Sequence, residues 1–521
     1  MKNKVIFFII FLAIFLRLYN LSNVPPSASL DEASIGWNAY SILKTGGDEY
    51  GNKFPILLRA FDDWRPAFYV YLVIPFVALL DLNVLAVRLP SVVLSVLTII
   101  AMYFLTKELL RLNSKSEALN PKQYQNSNVQ NSKKSFEIRN LKLEILPILA
   151  AGLLAISPWH IYISRLGHEV NVGFSFVVFS ILFFLLSLNN AKKAWMLTLP
   201  FLFFSLSFYT YQSTKVFVPL FLLSLIVIFR KEILAIKKYF LISLVVFAVF
   251  TLPIFLASLS PNALVRLSGT SVFENHPLYK ESALRLVDAK EKGDLVGQII
   301  NNRRFTSVNI FLNQYLSHLS FQWLFGNSGN EAFKAPNVGL FYYWQFPFMI
   351  FGVIFILIGK FSKKVKSVLI SWIAFSFVAP AITTEVPHSM RAYNVLPAFI
   401  GLIAVGIIWP ISLIKKDFVK KILVFLVMVI LSIGFIGFSR SYFVLFSKYQ
   451  SDSFQYALAK AIPFVVSQEE SYDKIIFSNE ESLYQSYMFF LFYTKYDPSN
   501  YQKQGGTRSG GFAETHSFGK Y

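Results

Sequence analysis

The chain has 521 residues, of which 55% are apolar and 55 are phenylalanine, and it carries 49 Lys+Arg against 29 Asp+Glu, a net charge of +20. So much apolar surface excludes a water-soluble globular class, and runs of about 18 or more apolar residues read as membrane-spanning helices rather than the short alternating strands of a barrel. With no cysteine there is no disulfide or thiolate chemistry, and no nucleic-acid module accompanies the positive charge, so nucleic acid is not an expected partner.

Spans are predicted near 5–22, 85–106, 144–158, 171–189, 195–209, 216–229, 239–258, 338–359, 367–382, 393–414 and 422–439. The first, MKNK followed by an apolar run, also resembles a signal peptide, but spans follow throughout, so it reads as an uncleaved helix. After it, Ser29-x-x-Glu32 is a capping-box pattern and Thr45-Gly46-Gly47 a stop, which predicts a short helix over 30–44. Glu32 completes the box. Asp31 is not needed by it and is available to take a proton from an acceptor hydroxyl or amine. The segment 67–80 is short for a span, holds Pro75 and is rich in aromatic residues, so it is predicted to lie at the interface or re-enter.

Charge supports that reading. If 67–80 does not cross, Lys2/Lys4, the basic loop 107–143, Lys192/Lys193, 230–238, 360–366 and 415–421 all fall on one side, the cytoplasm. The result is eleven spans with the N-terminus inside and the C-terminus outside. The polar stretch 113–135 reads as a disordered linker. The opposite side then collects 23–66, 157–171, 209–217, the long loop 260–337, 383–394 and a tail from about 440.

These outer segments hold the chemistry. Arg165, His168 and Glu169 lie within five residues, and Glu169 directly precedes a span. Asp31, Glu32 and Glu169 are the candidate catalytic carboxylates. Arg65, Arg88, Lys215 and Arg391 lie at outer ends of spans, where positive charge is unexpected, and suit a lipid phosphate. Arg165, His168, Tyr211 and His388 are further candidate substrate contacts. His160, His168 and Glu169 raise a divalent metal, but their spacing is unlike a zinc signature; no cofactor is otherwise expected. A carboxylate base with cations for a lipid phosphate is the equipment of glycosyl transfer, because a polyprenyl phosphate is a good leaving group.

The ordered pieces DEASIGWNAYSILKTGGDEYG, DDWRPAFYVYL, AVRLPSVVLSVLTIIAMYFL, SPWHIYISRLGHEVN, YTYQSTKVFVPL and PHSMRAYNVLPAF resemble the polytopic glycosyltransferases of the GT-C fold, in the branch of the protein O-mannosyltransferases and the aminoarabinose transferase that modifies lipid A. The resemblance covers roughly 5–440. It implies an all-α membrane protein that transfers a sugar with inversion from a polyprenyl-phosphate donor to an extracytoplasmic acceptor, at a cell membrane. It maps the catalytic acid onto Asp31, a second acid onto Glu169, the interfacial helix onto 66–81 and the phosphate cation onto Arg65. Lys215 departs from an expected Arg, and His168 from an aromatic. The implied organisation is a membrane domain, 1–440, and an outer segment, 441–521, shorter than the corresponding family domain. The competing reading is a lipid-linked oligosaccharide flippase, polymerase or ligase, which would not need an Asp-Glu loop followed by an interfacial helix.

Overall fold

A computed structural model describes residues 2–61, 63–118, 145–189, 191–261, 269–326, 333–359, 361–478, 480, 483–508 and 515–521. Residues 113–118 of the expected linker continue the helix Val84–Ala118, and 119–135 lie outside the described residues.

Each expected span contains a helix. These are α1 (Lys2–Leu18), α4 (Val84–Ala118), α5 (Leu146–Ala155), α7 (Glu169–Asn189), α8 (Thr198–Ser207), α9 (Thr214–Ile228), α10 (Lys237–Ser258), α14 (Gln345–Ile358), α15 (Lys363–Ser376) with the short α16 (Val378–Ala381), α17 (Leu396–Leu413) and α18 (Asp417–Ser439). Among the described residues six stretches are long and apolar enough to cross a membrane: Val84–Asn113, Glu169–Leu188, Lys237–Ser258, Lys363–Ala381, Tyr393–Leu413 and Asp417–Tyr449. A seventh forms if α5 and α6 (Pro158–Ser164), bent by 55° at their junction, are one span. The others fall short: α9, at 15 residues, is about 22 Å long against about 30 Å of hydrocarbon. The protein is a multi-pass helical membrane protein.

Between α1 and α4 the chain forms α2 (Leu30–Thr45), a two-stranded antiparallel ribbon of β1 (Leu57–Ala60) and β2 (Asp63–Pro66), and α3 (Phe68–Leu80). The ribbon pairs Leu58 with Arg65; its four-residue strands are too short to leave a sequence pattern. The 13 residues of α3, with Pro75 inside, make about 20 Å of helix, too short to span. It buries Tyr69, Val70, Val73 and Val77.

One large hydrophobic cluster runs through the bundle, with Phe174, Val177, Phe201, Phe221, Trp372 and Leu402 in it. Close helix approach contributes: an added Cβ on Gly352 of α14 would meet the Leu402 carbonyl, and one on Gly406 of α17 the Phe348 carbonyl, the small-residue packing that membrane helices use. A second cluster joins α2 and α3 to the C-terminal helices α19 (Tyr456–Ser467), α20 (Ser486–Thr494) and α21 (Pro498–Lys503) through Trp37, Val73, Ile462, Met488, Phe492 and Tyr501.

Contacts sort the loops by face. Ser362 N donates to Asn113 Oδ1 at 2.7 Å, and Lys364 pairs with Glu232, so the basic segments 107–118, 230–238 and 360–366 meet on one face. Arg88, which holds Glu32, and Asn113 lie near opposite ends of α4, so Asp31 and Glu32 sit at the other end of that helix.

Candidate functional site

Helix α2 starts on its capping box: the Ser29 side chain accepts from Glu32 N at 3.2 Å, and Glu32 accepts from Ser29 N at 2.9 Å. It stops at Gly46, whose φ of 73° suits a residue without a Cβ. The first turn thereby fixes Asp31, whose side chain is 47% exposed, beside the almost fully buried Arg65 of β2. Arg65 Nη1 donates to Asp31 Oδ1 and Nη2 to Ser34 Oγ, both at 2.9 Å. Of the five guanidinium N–H donors, these contacts use two, and Nε has no partner among the described residues. Burial alone would push Arg65 down; the carboxylates of Asp31, Glu169 and Asp63 outweigh it and hold it up. Arg65 is therefore a firmly charged cation facing several acids.

Glu169 reaches this field because Gly167 N donates to Glu32 Oε1 at 2.7 Å. An added Cβ on Gly167 would lie 2.6 Å from Val87 Cγ1 and 3.2 Å from Glu32 Cγ, so only glycine permits the close approach. Glu169 then opens α7, nearly buried, with His168 Nδ1 at 3.4 Å from its Oε2. The His168 ring meets Tyr211 edge to face at 5.7 Å. One turn beyond Tyr211, Lys215 Nζ donates to Ser258 Oγ at the end of α10, at 2.9 Å.

The segment 383–391 carries Arg391 and His388. Arg391 donates to Thr383 Oγ1 at 2.8 Å and to the Thr384 carbonyl, and lies 3.5 Å from Glu385. The His388 ring stacks on Phe333, and its backbone N–H donates to His318 Nε2 at 3.3 Å. Burial, then the charge of Arg391, pushes His388 down to about 3, so it is neutral at pH 7; His168 also acts on it. Its Nδ1 has no partner among the described residues.

No family model matches the sequence, and no curated protein does. Solved structures do match. ArnT from Cupriavidus metallidurans bound to undecaprenyl phosphate, a lipid A aminoarabinose transferase, superposes on 95% of this chain and 84% of its own, with a TM-score of 0.50 at 11% identity. The Archaeoglobus fulgidus oligosaccharyltransferase tethered to an acceptor peptide covers 94% of this chain with a TM-score of 0.51 at 12% identity. The chain spans 62% of that enzyme's length. Both are GT-C enzymes.

The chain has the GT-C fold.

Within this GT-C chain several expected site residues have other work. Arg88 is fully buried and donates to Glu32 Oε1 and Oε2 and to the carbonyls of Leu21, Pro25 and Ser27. These five bonds use all its donors, leaving none for the phosphate contact expected of it. Glu32, accepting from Arg88, Gly167 and Ser29, is the buried hub between α2, α4 and the start of α7. Its carboxylate is buried, unlike that of Asp31. Arg165 is likewise buried, donating to the carbonyls of Leu16, Arg17, Tyr19 and Val24, so it clasps the end of α1 instead of a substrate. His160 turns onto the Arg17 guanidinium, away from His168 and Glu169. Among the described residues no three His, Asp or Glu side chains converge as a metal site.

Ser34 and His318 were missed. Ser34 stands three residues after Asp31, on the same face of α2, a spacing that could have suggested it. Nothing local marks His318 as the partner of His388.

Proposed function

We propose that the protein is an inverting glycosyltransferase moving a sugar from a polyprenyl-phosphate donor onto an extracytoplasmic acceptor, a protein hydroxyl, lipid or cell-envelope glycan, at the plasma membrane. The observation that carries this reading is the half-exposed Asp31 held against a buried arginine: a carboxylate open to an acceptor beside a fixed positive charge. The acceptor oxygen attacks the anomeric carbon, its proton passes to Asp31, and the bond to the phosphate oxygen breaks. Arg65, Lys215 and Arg391 offset the charge on the departing polyprenyl phosphate. Glu169 keeps Arg65 charged and, with His168 and Tyr211, lines the acceptor or sugar side. The likeness to an enzyme solved with undecaprenyl phosphate supports this choice of donor. The likeness to an oligosaccharyltransferase keeps lipid-linked oligosaccharides among the donors to be tried.

The test is incubation of the purified protein with a panel of polyprenyl-phosphate sugars and lipid-linked oligosaccharides, assaying free polyprenyl phosphate. At least one donor should be consumed by the wild type and not by Asp31→Asn. An EDTA arm separates a clamp made of side-chain cations alone from one that also needs a divalent ion. Equal consumption by both proteins, or by neither with any donor, overturns the reading.

A further inference from the structure

Residues 278–317 form an arm of three helices on the Asp31 face: α11 (Leu278–Glu291), α12 (Leu295–Ile300) and α13 (Arg303–Ser317). Helix α13 turns an apolar stripe outward. Thr306 and Ile310 are buried against the protein, whereas Phe305, Val308, Leu312 and Leu316 are 48–58% exposed. Their spacing of three, four and four residues draws one apolar stripe along the helix. Leu295 and Ile299 of α12, still more exposed, flank an open groove that Phe305 and Val308 also line, with Arg304 at its edge. From Leu295 to Gly326 the charged side chains are Arg303 and Arg304, with no acid.

We infer that this arm docks on the lipid leaflet of the Asp31 face, its stripe in the acyl region and Arg303 and Arg304 at the headgroup phosphates. A helix with an apolar face and basic residues beside it is built for that boundary. Continuity with the bilayer selects lipid over another occupant. The Tyr315 hydroxyl donates to the Ala374 carbonyl near the end of α15, at 2.9 Å. Ala374 lies inside the Lys363–Ala381 span, so the C-terminal end of the stripe rests against a membrane-spanning helix.

The seat also governs the site. The arm is tied to the Arg391 segment at both ends: Thr384 N donates to the Thr270 carbonyl at 2.9 Å and Val272 N to the Ile382 carbonyl at 3.2 Å, and His318 takes the His388 N–H. An arm resting on lipid thus sets the depth of Arg391. This second step rests on the donor-phosphate role proposed above.

Because the chain has no cysteine, spin labels can be placed singly at Val308, Leu312, Leu316, Asn309 and Asn313 of the full-length protein. The proteoliposomes would contain phosphatidylcholine and phosphatidylglycerol. Labels at 308, 312 and 316 should collide more with oxygen than with a water-soluble nickel chelate, and labels at 309 and 313 the reverse. A stripe that favours the nickel chelate overturns the docking, as does dipolar broadening that places a second copy on it. Leu312→Glu should raise the donor KM several-fold with kcat held. An unchanged KM overturns the link to Arg391. The label pattern requires no turnover, so its failure is distinct from failure of the transferase reading, which wild-type donor consumption decides.

Discussion

Asp31 and Glu32 are chain neighbours with opposite surroundings. About 100° of helical turn separates them, enough to leave one carboxylate half-exposed beside Arg65 and to seal the other against Arg88. Their substitutions should therefore fail differently. Asp31→Asn keeps shape and polarity and removes the base, so turnover should fall by at least about 10² with thermal stability unchanged. Glu32→Gln leaves the Arg88 guanidinium buried without its counter-charge; breaking such a pair costs about 3–5 kcal/mol, and unfolding in detergent should show the loss. Arg65→Gln should reduce donor turnover by about 1.5–3 kcal/mol of transition-state stabilisation, the worth of a charge-assisted contact, measured as kcat/KM for the donor. The local grammar was readable: Ser29, Glu32 and Gly46 mark α2 within the segment itself. Arg88 was not readable, because its partner lies 56 residues away and a charge near the end of a span looks the same whether it turns inward or out.

At the scale of elements, the loop after α2 is fastened to α20 by a buried acid. Glu49 accepts from Asn38 Nδ2 and from the Tyr487 hydroxyl, each at 3.0 Å. Burial raises its pKa from the usual 4.5 to about 7, against those hydrogen bonds, which pull it down. The folded state thus holds the proton longer than the unfolded chain does. The associated stability is full below pH 4.5 and is lost as pH rises through about 7. Scanning fluorimetry should show wild-type stability falling across that window relative to Glu49→Gln, which titrates nothing there. The long apolar helices were evident from hydropathy, and α3 from its length and proline. The helices of the 278–317 arm were not, because they are short and amphipathic and their anchoring depends on distant backbone at 382–384. The couplings of Arg65 to Glu169 and of His388 to His168 likewise come from packing between segments more than 100 residues apart.

For the whole molecule, loop sorting is the strongest link between sequence and architecture. Two contacts, Asn113–Ser362 and Glu232–Lys364, bring together three of the six basic segments expected on one side. Which compartment that side meets can be read with reporters: a fusion after Ala235 should be cytoplasmic and one after Ile300 external, and the reverse would place the Asp31 face inside. The long helix that continues α18, Asp417–Tyr449, has 33 residues and almost none of its apolar window covered by protein. It is about 50 Å long against about 30 Å of hydrocarbon, while its last turns are held, with Tyr442 and Phe446 buried against Tyr162. A rod pinned at one end and bathed in lipid along its length behaves as a thickness gauge. Thinner bilayers should tilt it about the pinned end, at fractions of a kcal/mol per Å of mismatch, and strain the Tyr162–Arg165 turn that leads into Glu169. Donor turnover in proteoliposomes of graded acyl length should pass through an optimum, and a flat profile would show that the gauge is disconnected.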